Sequence, residues 1–260
     1  IKREVVWSGA TLRPSAVLVD RRGPFVRSRV DGDWLTLTQG LSTFDSLMTH
    51  CADPKGTPEA LVLRESIRGW RFYDHFRTDA AAPARLPQIG THTPVLGHDG
   101  RDLAAALETI RMIGDATALA TAIDDAFPGS RVSVRVSDDV WFNVEVQQHG
   151  LLRPLGAGEL SDGTLRYLLW VAALLTPRPP ALLVLNEPET SLHPDLLPAL
   201  GRLIQQAATR SQVIVVSHAA GLIDALQSLP ECHAITLSKA FGDTQVEGSL
   251  EPARWEWPAR

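Results

Sequence analysis

The chain has 260 residues, 44% of them hydrophobic, and a formal net charge of -5 at neutral pH. That length and apolar content can bury a sizeable core in one large domain or two small ones, and they exclude disordered and fibrous classes. The charge gives no bulk attraction to nucleic acid or to an anionic membrane, which leaves only a local basic face for such partners. Cys51 and Cys232 lie far apart and form no CxxC pair, as suits a reducing compartment, and both are expected to be ordinary buried thiols. The longest apolar run, Tyr167 to Leu175, is too short to span a bilayer, and no signal-peptide pattern opens the chain. A soluble, cytoplasmic protein with no membrane partner is the expectation.

Short alternating runs at Ala16 to Asp20, Phe25 to Val30 and Asp33 to Thr38, separated by Arg-Arg-Gly-Pro and Asp-Gly, predict an antiparallel meander over residues 1–40. A helical middle region over 41–130 follows. Ser42 to His50 reads as helix, and Thr57 with Pro58 at the first helical position starts a longer helix toward Tyr73. After a Pro-rich linker from Ala80 to His98, Asp99 caps a helix through Met112, and Asp115 caps another that ends at Phe127-Pro128-Gly129. Val132 to Val136 and Trp141 to Val146 alternate strictly around Ser137-Asp138-Asp139, a hairpin within 131–150.

From 151 to 250 strands and helices alternate, with 251–260 as a tail. Helices are expected at Asp162 to Leu175, Asp195 to Ala208 and Ala219 to Leu229, and strands at Ala181 to Leu185, Gln212 to Val216 and His233 to Leu237. The apolar runs at 181–185 and 213–216 have no polar side, the pattern of parallel strands covered on both faces. The fold class is therefore α/β, a mainly parallel sheet flanked by helices, with an antiparallel β segment and a helical middle region.

The chemistry concentrates in three places. Leu182 to Glu187 is a strand ending in an acid, which delivers Glu187 to the carboxyl edge of a parallel sheet, where open α/β folds bind ligands. A carboxylate there can orient or deprotonate the water that attacks a γ-phosphate; the plain alternative is a solvated acid. Leu160-Ser161-Asp162-Gly163-Thr164 opens an apolar helix, so the Ser161 hydroxyl and the amides near Gly163 could form an anion site, although an ordinary N-cap would use the same residues. His218 follows the next buried strand at the same edge as Glu187 and can donate to a phosphate oxygen or relay a proton. His193, near Glu187 and Glu189, matches no zinc spacing.

At these residues, over roughly Leu151 to Leu226, the chain resembles the ABC-type ATPases, and within them the RecF- and SMC-like branch of bacterial AAA-type ATPases with a Leu-Ser-Asp-Gly-Thr signature. The resemblance implies part of a P-loop NTPase fold that binds ATP and Mg2+. Ser161, Asp162, Gly163 and Thr164 would be the signature that contacts ATP held by a partner subunit, and Leu182 to Glu187 the Walker B strand with Glu187 as catalytic base. Ser191 to Pro194, including His193, would be the D-loop at the subunit interface, and His218 the switch histidine. Arg68 to Tyr73 and the helix after Asp99-Gly100 also look like this branch, and read mainly as packing.

Two departures stand out. Asn186 occupies the position of the family's aspartate, which holds magnesium through water; an amide brings no negative charge, so weaker magnesium binding is expected. No Gly-x-x-x-x-Gly-Lys-Ser/Thr occurs, and none of Lys2, Lys55 and Lys239 stands in such a context. With Ile1 in place of a start methionine, this predicts that the 260 residues are part of a longer ATPase and would by themselves bind ATP weakly or not at all.

The expected function is an ATP-driven homodimer that closes around two nucleotides and acts in DNA repair, chromosome maintenance or defence, with DNA or an effector protein as a further partner. The alternative is a nucleotide-sensing scaffold with little turnover, which Asn186 favours. Arg64, Arg68, Arg71, Arg77 and Arg85 suggest a DNA-contacting stripe, the first three on one helical face; an acid-paired, solvated face is the simpler reading of the same residues.

Overall fold

The computed structural model describes residues 1–137 and 140–247. The Asp138-Asp139 turn and the 251–260 tail lie outside the described residues, as does the end of the 151–250 segment. The chain divides into two compact units, Ile1–Gly69 with the segment from Ile235 onward, and Trp70–Ala234.

In the first unit, β1 (Arg3–Trp7), β2 (Val17–Arg22), β3 (Phe25–Val30) and β4 (Asp33–Thr38) form an antiparallel meander in that order. Alternation puts Val6, Val19 and Val26 on one face, where they pack with Leu47 and Ala60 from the two helices that follow, α1 (Leu47–His50) and α2 (Pro58–Gly69). Ser46 caps α1, its hydroxyl accepting from the Met48 N–H. Arg21 is fully buried here, and its charge is met by Glu4 at 2.6 Å and by the carbonyls of Ser42, Gly23 and Asp45. Glu4 in turn accepts from the Ser46 hydroxyl and the Leu47 N–H, which fastens β1 to the start of α1.

Helix α1 is shorter than the expected Ser42 to His50 because Ser46 takes the cap and the preceding residues are turns. Helix α2 begins at Pro58 as expected but stops at Gly69, the residue with the weakest helix propensity short of proline. The expectation of helix through Tyr73 is thereby corrected.

In the second unit, Arg71–Tyr73 is instead a strand, β5, followed by the short β6 (Gln88–Ile89). Helices α3 (Leu103–Ile113) and α4 (Ala116–Ala126) come next. Asp115 caps α4 through the Ala118 N–H. Asp99 does not cap α3: its carboxylate turns to Arg101, and Asp102 stands at the N-cap, bonded back to the Gly97 N–H.

The hairpin forms as β7 (Arg131–Ser137) and β8 (Trp141–Gln147), joined by β6 and by β9 (Leu155–Gly156) in an antiparallel sheet. Then α5 (Asp162–Leu174), β10 (Leu182–Asn186), α6 (Leu197–Ala208), β11 (Gln212–Val216) and α7 (Ala220–Gln227) alternate. The parallel sheet has the order β11-β10-β5, so the α/β expectation holds.

Helix α5 is buried from Thr164 to Leu174, and from Tyr167 onward it is apolar on all sides, as befits a helix at the centre of a core; the one buried charge, Arg166, donates to the Phe76 carbonyl. Tyr73 and Phe76 pack on its Trp170 ring with centroids at 6.2 and 4.9 Å. The parallel sheet is covered on one face only: Leu183, Leu185 and Tyr73 are buried, whereas Phe72, Ile214 and Val216 on the other face are exposed. The expectation of strands covered on both sides is corrected to that extent.

The expected strand at His233 to Leu237 is displaced and changes partner. Residues Thr236–Ala240 form β12, paired antiparallel with β13 (Asp243–Glu247) in a separate two-stranded sheet. The turn residues Phe241 and Gly242, both at positive φ, close this hairpin. Cys51 is buried as expected, but Cys232 is exposed. Among the described residues, no helix is long and apolar enough to cross a membrane.

Candidate functional site

Parallel pairing of β10 with β11 aligns Asn186 with Val216, so the residues after both strands emerge at one edge. The Glu187 N–H extends the ladder to the Val216 carbonyl at 2.8 Å, and the chain then breaks away with Glu187 at φ 44°. A non-glycine residue in this region is strained and persists where surrounding contacts fix it. Those contacts are present: the Glu187 carbonyl accepts from the Thr190 N–H, and the Pro188 carbonyl accepts from the Trp170 indole at 2.8 Å. The acid is thus aimed from a loop anchored on the core of α5.

The Glu187 Oε1 lies 3.5 Å from His218 Nε2, and both side chains face solvent, His218 at 82% exposure. The histidine is placed by Glu189, which the sequence offers only as an acid near His193. One oxygen of Glu189 accepts from the Ser217 hydroxyl at 2.7 Å, the His218 N–H at 2.9 Å and the Ala219 N–H at 3.2 Å. Burial pushes the Glu189 carboxyl up, but the Ser217 hydroxyl and the backbone N–H groups outweigh it and hold the group below its ordinary value. Its only signal in the sequence was a second acid two residues beyond Glu187.

Asn186 meets another residue not singled out beforehand. Its side-chain amide donates to Asp74 Oδ1 at 2.7 Å. Asp74 directly follows β5, whose Tyr73 pairs with Leu185, so the register sets the two side chains abreast at the sheet edge. The signal available was the aromatic run Arg71-Phe72-Tyr73 after Gly69, a strand that ends in an acid as β10 does.

At the start of α5, Ser161 is the N-cap: its hydroxyl accepts from the Thr164 N–H at 3.1 Å and lies 2.9 Å from the Thr164 hydroxyl. Asp162 is exposed and pairs with Arg85 at 2.7 Å. Gly163 is required by a close approach, since a Cβ there would come within 2.9 Å of the Ser191 carbonyl. The two expected motifs therefore meet within one chain, where Ser191 itself holds φ 63°. His193 is exposed and caps the short 3-10 turn Pro194–Leu196, its Nδ1 accepting from the Asp195 N–H at 3.3 Å.

Arg85 organises the loop before α5. Its side chain is 7% exposed, and its guanidinium donates to the carbonyls of Thr78, Asp79, Ala157 and Leu160 as well as to Asp162. The expected arginine stripe is corrected accordingly. Arg71 lies in β5 and not on α2, so Arg64, Arg68 and Arg71 do not share a helix face. Arg64 and Arg68 pair with Glu65, and Arg77 pairs with Asp79.

A family model described as "AAA domain, putative AbiEii toxin, Type IV TA system" matches residues 18–224. The chain belongs to this family. Among solved structures, it is 12% identical to an Smc head bound to the C-winged helix domain of ScpA, covering 88% of this chain and 67% of that one at a TM-score of 0.49. It is 13% identical to the SMC head domain from Thermotoga maritima, covering 94% of this chain and 72% of that one at a TM-score of 0.42. The Smc head with coiled coil and joint from Pyrococcus yayanosii is 17% identical at a TM-score of 0.45; the match covers 56% of this chain and 28% of that longer one. No curated protein matches.

The AAA domain assignment places the chain among nucleotide-binding ATPases. The donor set at its sheet edge fits magnesium, which takes one or two carboxylates and completes its shell with water and phosphate oxygens: Asp74 and Glu187 are carboxylates, and Asn186, bonded to Asp74, directly precedes Glu187 in the chain. Among the described residues, no group of three or more His, Cys, Asp and Glu side chains could hold a metal by itself, so the phosphates would have to supply the remaining ligands.

Proposed function

We propose that this AAA domain carries the hydrolytic edge and the signature of an ATP-driven dimer switch. The observation that carries the reading is the Glu187–His218 pair, 3.5 Å apart at the carboxyl ends of adjacent parallel strands and held there by the backbone at Val216 and the carboxylate of Glu189. In this role Glu187 orients the attacking water and accepts its proton, and His218 donates to the phosphate oxygen where charge develops. Magnesium, when bound beside Asp74 and Asn186, would neutralise phosphate charge. Ser161, Gly163 and Thr164 would contact the nucleotide of a second copy, with Ser191 and His193 at the junction. The reading extends to action on DNA, in repair, chromosome maintenance or defence.

The product of the whole gene, compared with its Glu187→Gln variant, tests this. Turnover lost with an ATP-trapped dimer in the variant is the expected result. Equal behaviour of the two proteins, with nucleotide bound and no turnover, would establish the scaffold reading that Asn186 favours.

A further inference from the structure

The first unit carries a surface that the ATPase reading does not use. One face of its meander packs on α1 and α2; the opposite face is set by the register Asp20↔Arg27↔Thr36, Arg22↔Phe25 and Arg29↔Trp34. Three arginines from β2 and β3 therefore share one side of the sheet with two aromatic rings, and the single acid among these positions is Asp20.

That acid spaces the cations without cancelling them. Asp20 is buried, and one of its oxygens accepts from Arg22 at 3.2 Å and from Arg27 at 2.9 Å. The Arg22 and Arg27 side chains remain 66% and 43% exposed. Arg27 and Arg29 lie over the Trp34 ring at 4.3 and 5.2 Å from its centroid, which holds two guanidinium groups along one line. The Phe25 ring is 55% exposed at the other end of the row. Asp20, Arg22, Phe25, Arg27 and Thr36 line a shallow cleft of about 320 Å³ on this face.

We infer that this face binds single-stranded nucleic acid. Fixed guanidinium groups in a chain of net charge -5 offer local complementarity to a phosphate backbone, and an exposed ring beside them offers a stacking partner for an unpaired base. A duplex would satisfy the arginines but leave Phe25 unused, because its base faces are already stacked. The surface lies wholly within the first unit and needs no ATP, so it gives the nucleic-acid part of the proposed function an address without depending on turnover.

The test is fluorescence anisotropy of a labelled oligothymidine of about 20 nucleotides with the 260-residue chain, without ATP. Neutralising three phosphates predicts a Kd about 20-fold weaker for a fourfold rise in salt. Arg22→Ala and Phe25→Ala, both at exposed positions, should each weaken binding at least about fivefold, and an Arg22→Glu/Arg27→Glu double variant more. Phe25→Ala should leave any duplex binding unchanged. Absence of binding, preference for duplex, or unchanged affinity in Arg22→Ala and Phe25→Ala proteins with the wild-type melting curve would overturn the inference. Oligothymidine binding that survives in a protein without turnover would separate this result from the fate of the ATPase reading.

Discussion

The Asp74 carboxylate and the Asn186 amide are joined by a 2.7 Å hydrogen bond across the carboxyl ends of β5 and β10. The negative charge that the sequence lacks at position 186 is thus present one strand over. Asp74→Asn should weaken magnesium binding in the presence of ATP about tenfold, the scale of losses from groups that orient a metal site. The exchanged pair, Asp74→Asn with Asn186→Asp, should recover most of it. A Mn2+ titration by electron paramagnetic resonance on the ATP complex of the whole gene product reads this directly; an unaltered Asp74→Asn titration would remove Asp74 from the site.

Arg85 spends its guanidinium on four carbonyls and Asp162, and ties the loop at 78–79 to the start of α5. Lysine offers three donors on a point charge and cannot reproduce the fork. Arg85→Lys should therefore cost about 3 kcal/mol, the scale for breaking a buried, hydrogen-bonded charge. Urea denaturation measures it, and a loss below about 0.5 kcal/mol would mean that the clamp is dispensable.

Glu189 has a carboxyl held below its ordinary value of 4.5 in the folded chain, burial opposing and the Ser217, His218 and Ala219 donors prevailing. A group with a depressed folded pKa contributes stability that is fully present above the unfolded value and is lost as pH falls through the folded one. The difference in melting temperature between wild type and Glu189→Gln should accordingly be constant above about pH 5.5 and shrink as pH drops below about 4.5. Other carboxylates affect both proteins alike and cancel. A difference that does not change with pH would show that the bonds to the 217–219 turn do not depend on the charge of Glu189.

Much of this was legible in the chain. The boundaries of α4, α5 and β11 follow from a cap and an apolar period that agree with each other, as at Asp115, Ser161 and Gln212–Val216. The misread places are those where a local pattern had two solutions. Arg68-Gly69-Trp70 continues a helical period on paper, but Gly69 ends the helix and frees three residues to join β10, a long-range pairing with no local signature. The same shift moved Arg71 off the helix and removed the arginine stripe. Asp74 and Glu189 escaped for a related reason: each acts on a residue far away in sequence, and an acid whose partner arrives through sheet register looks like any solvated acid.

The half-covered parallel sheet has a consequence for handling the protein. Across it, Phe72, Val184 and Ile214 form an apolar row, and among the described residues β11 pairs with β10 alone, so its outer edge offers unpaired backbone donors and acceptors beside exposed Ile214 and Val216. An apolar strand edge of this kind is a template for another strand. Concentrated samples should thicken into oligomers through this edge, and a peptide or neighbouring segment that lies along β11 would act as their solubiliser, with the loop at Glu187 immediately beside the seam.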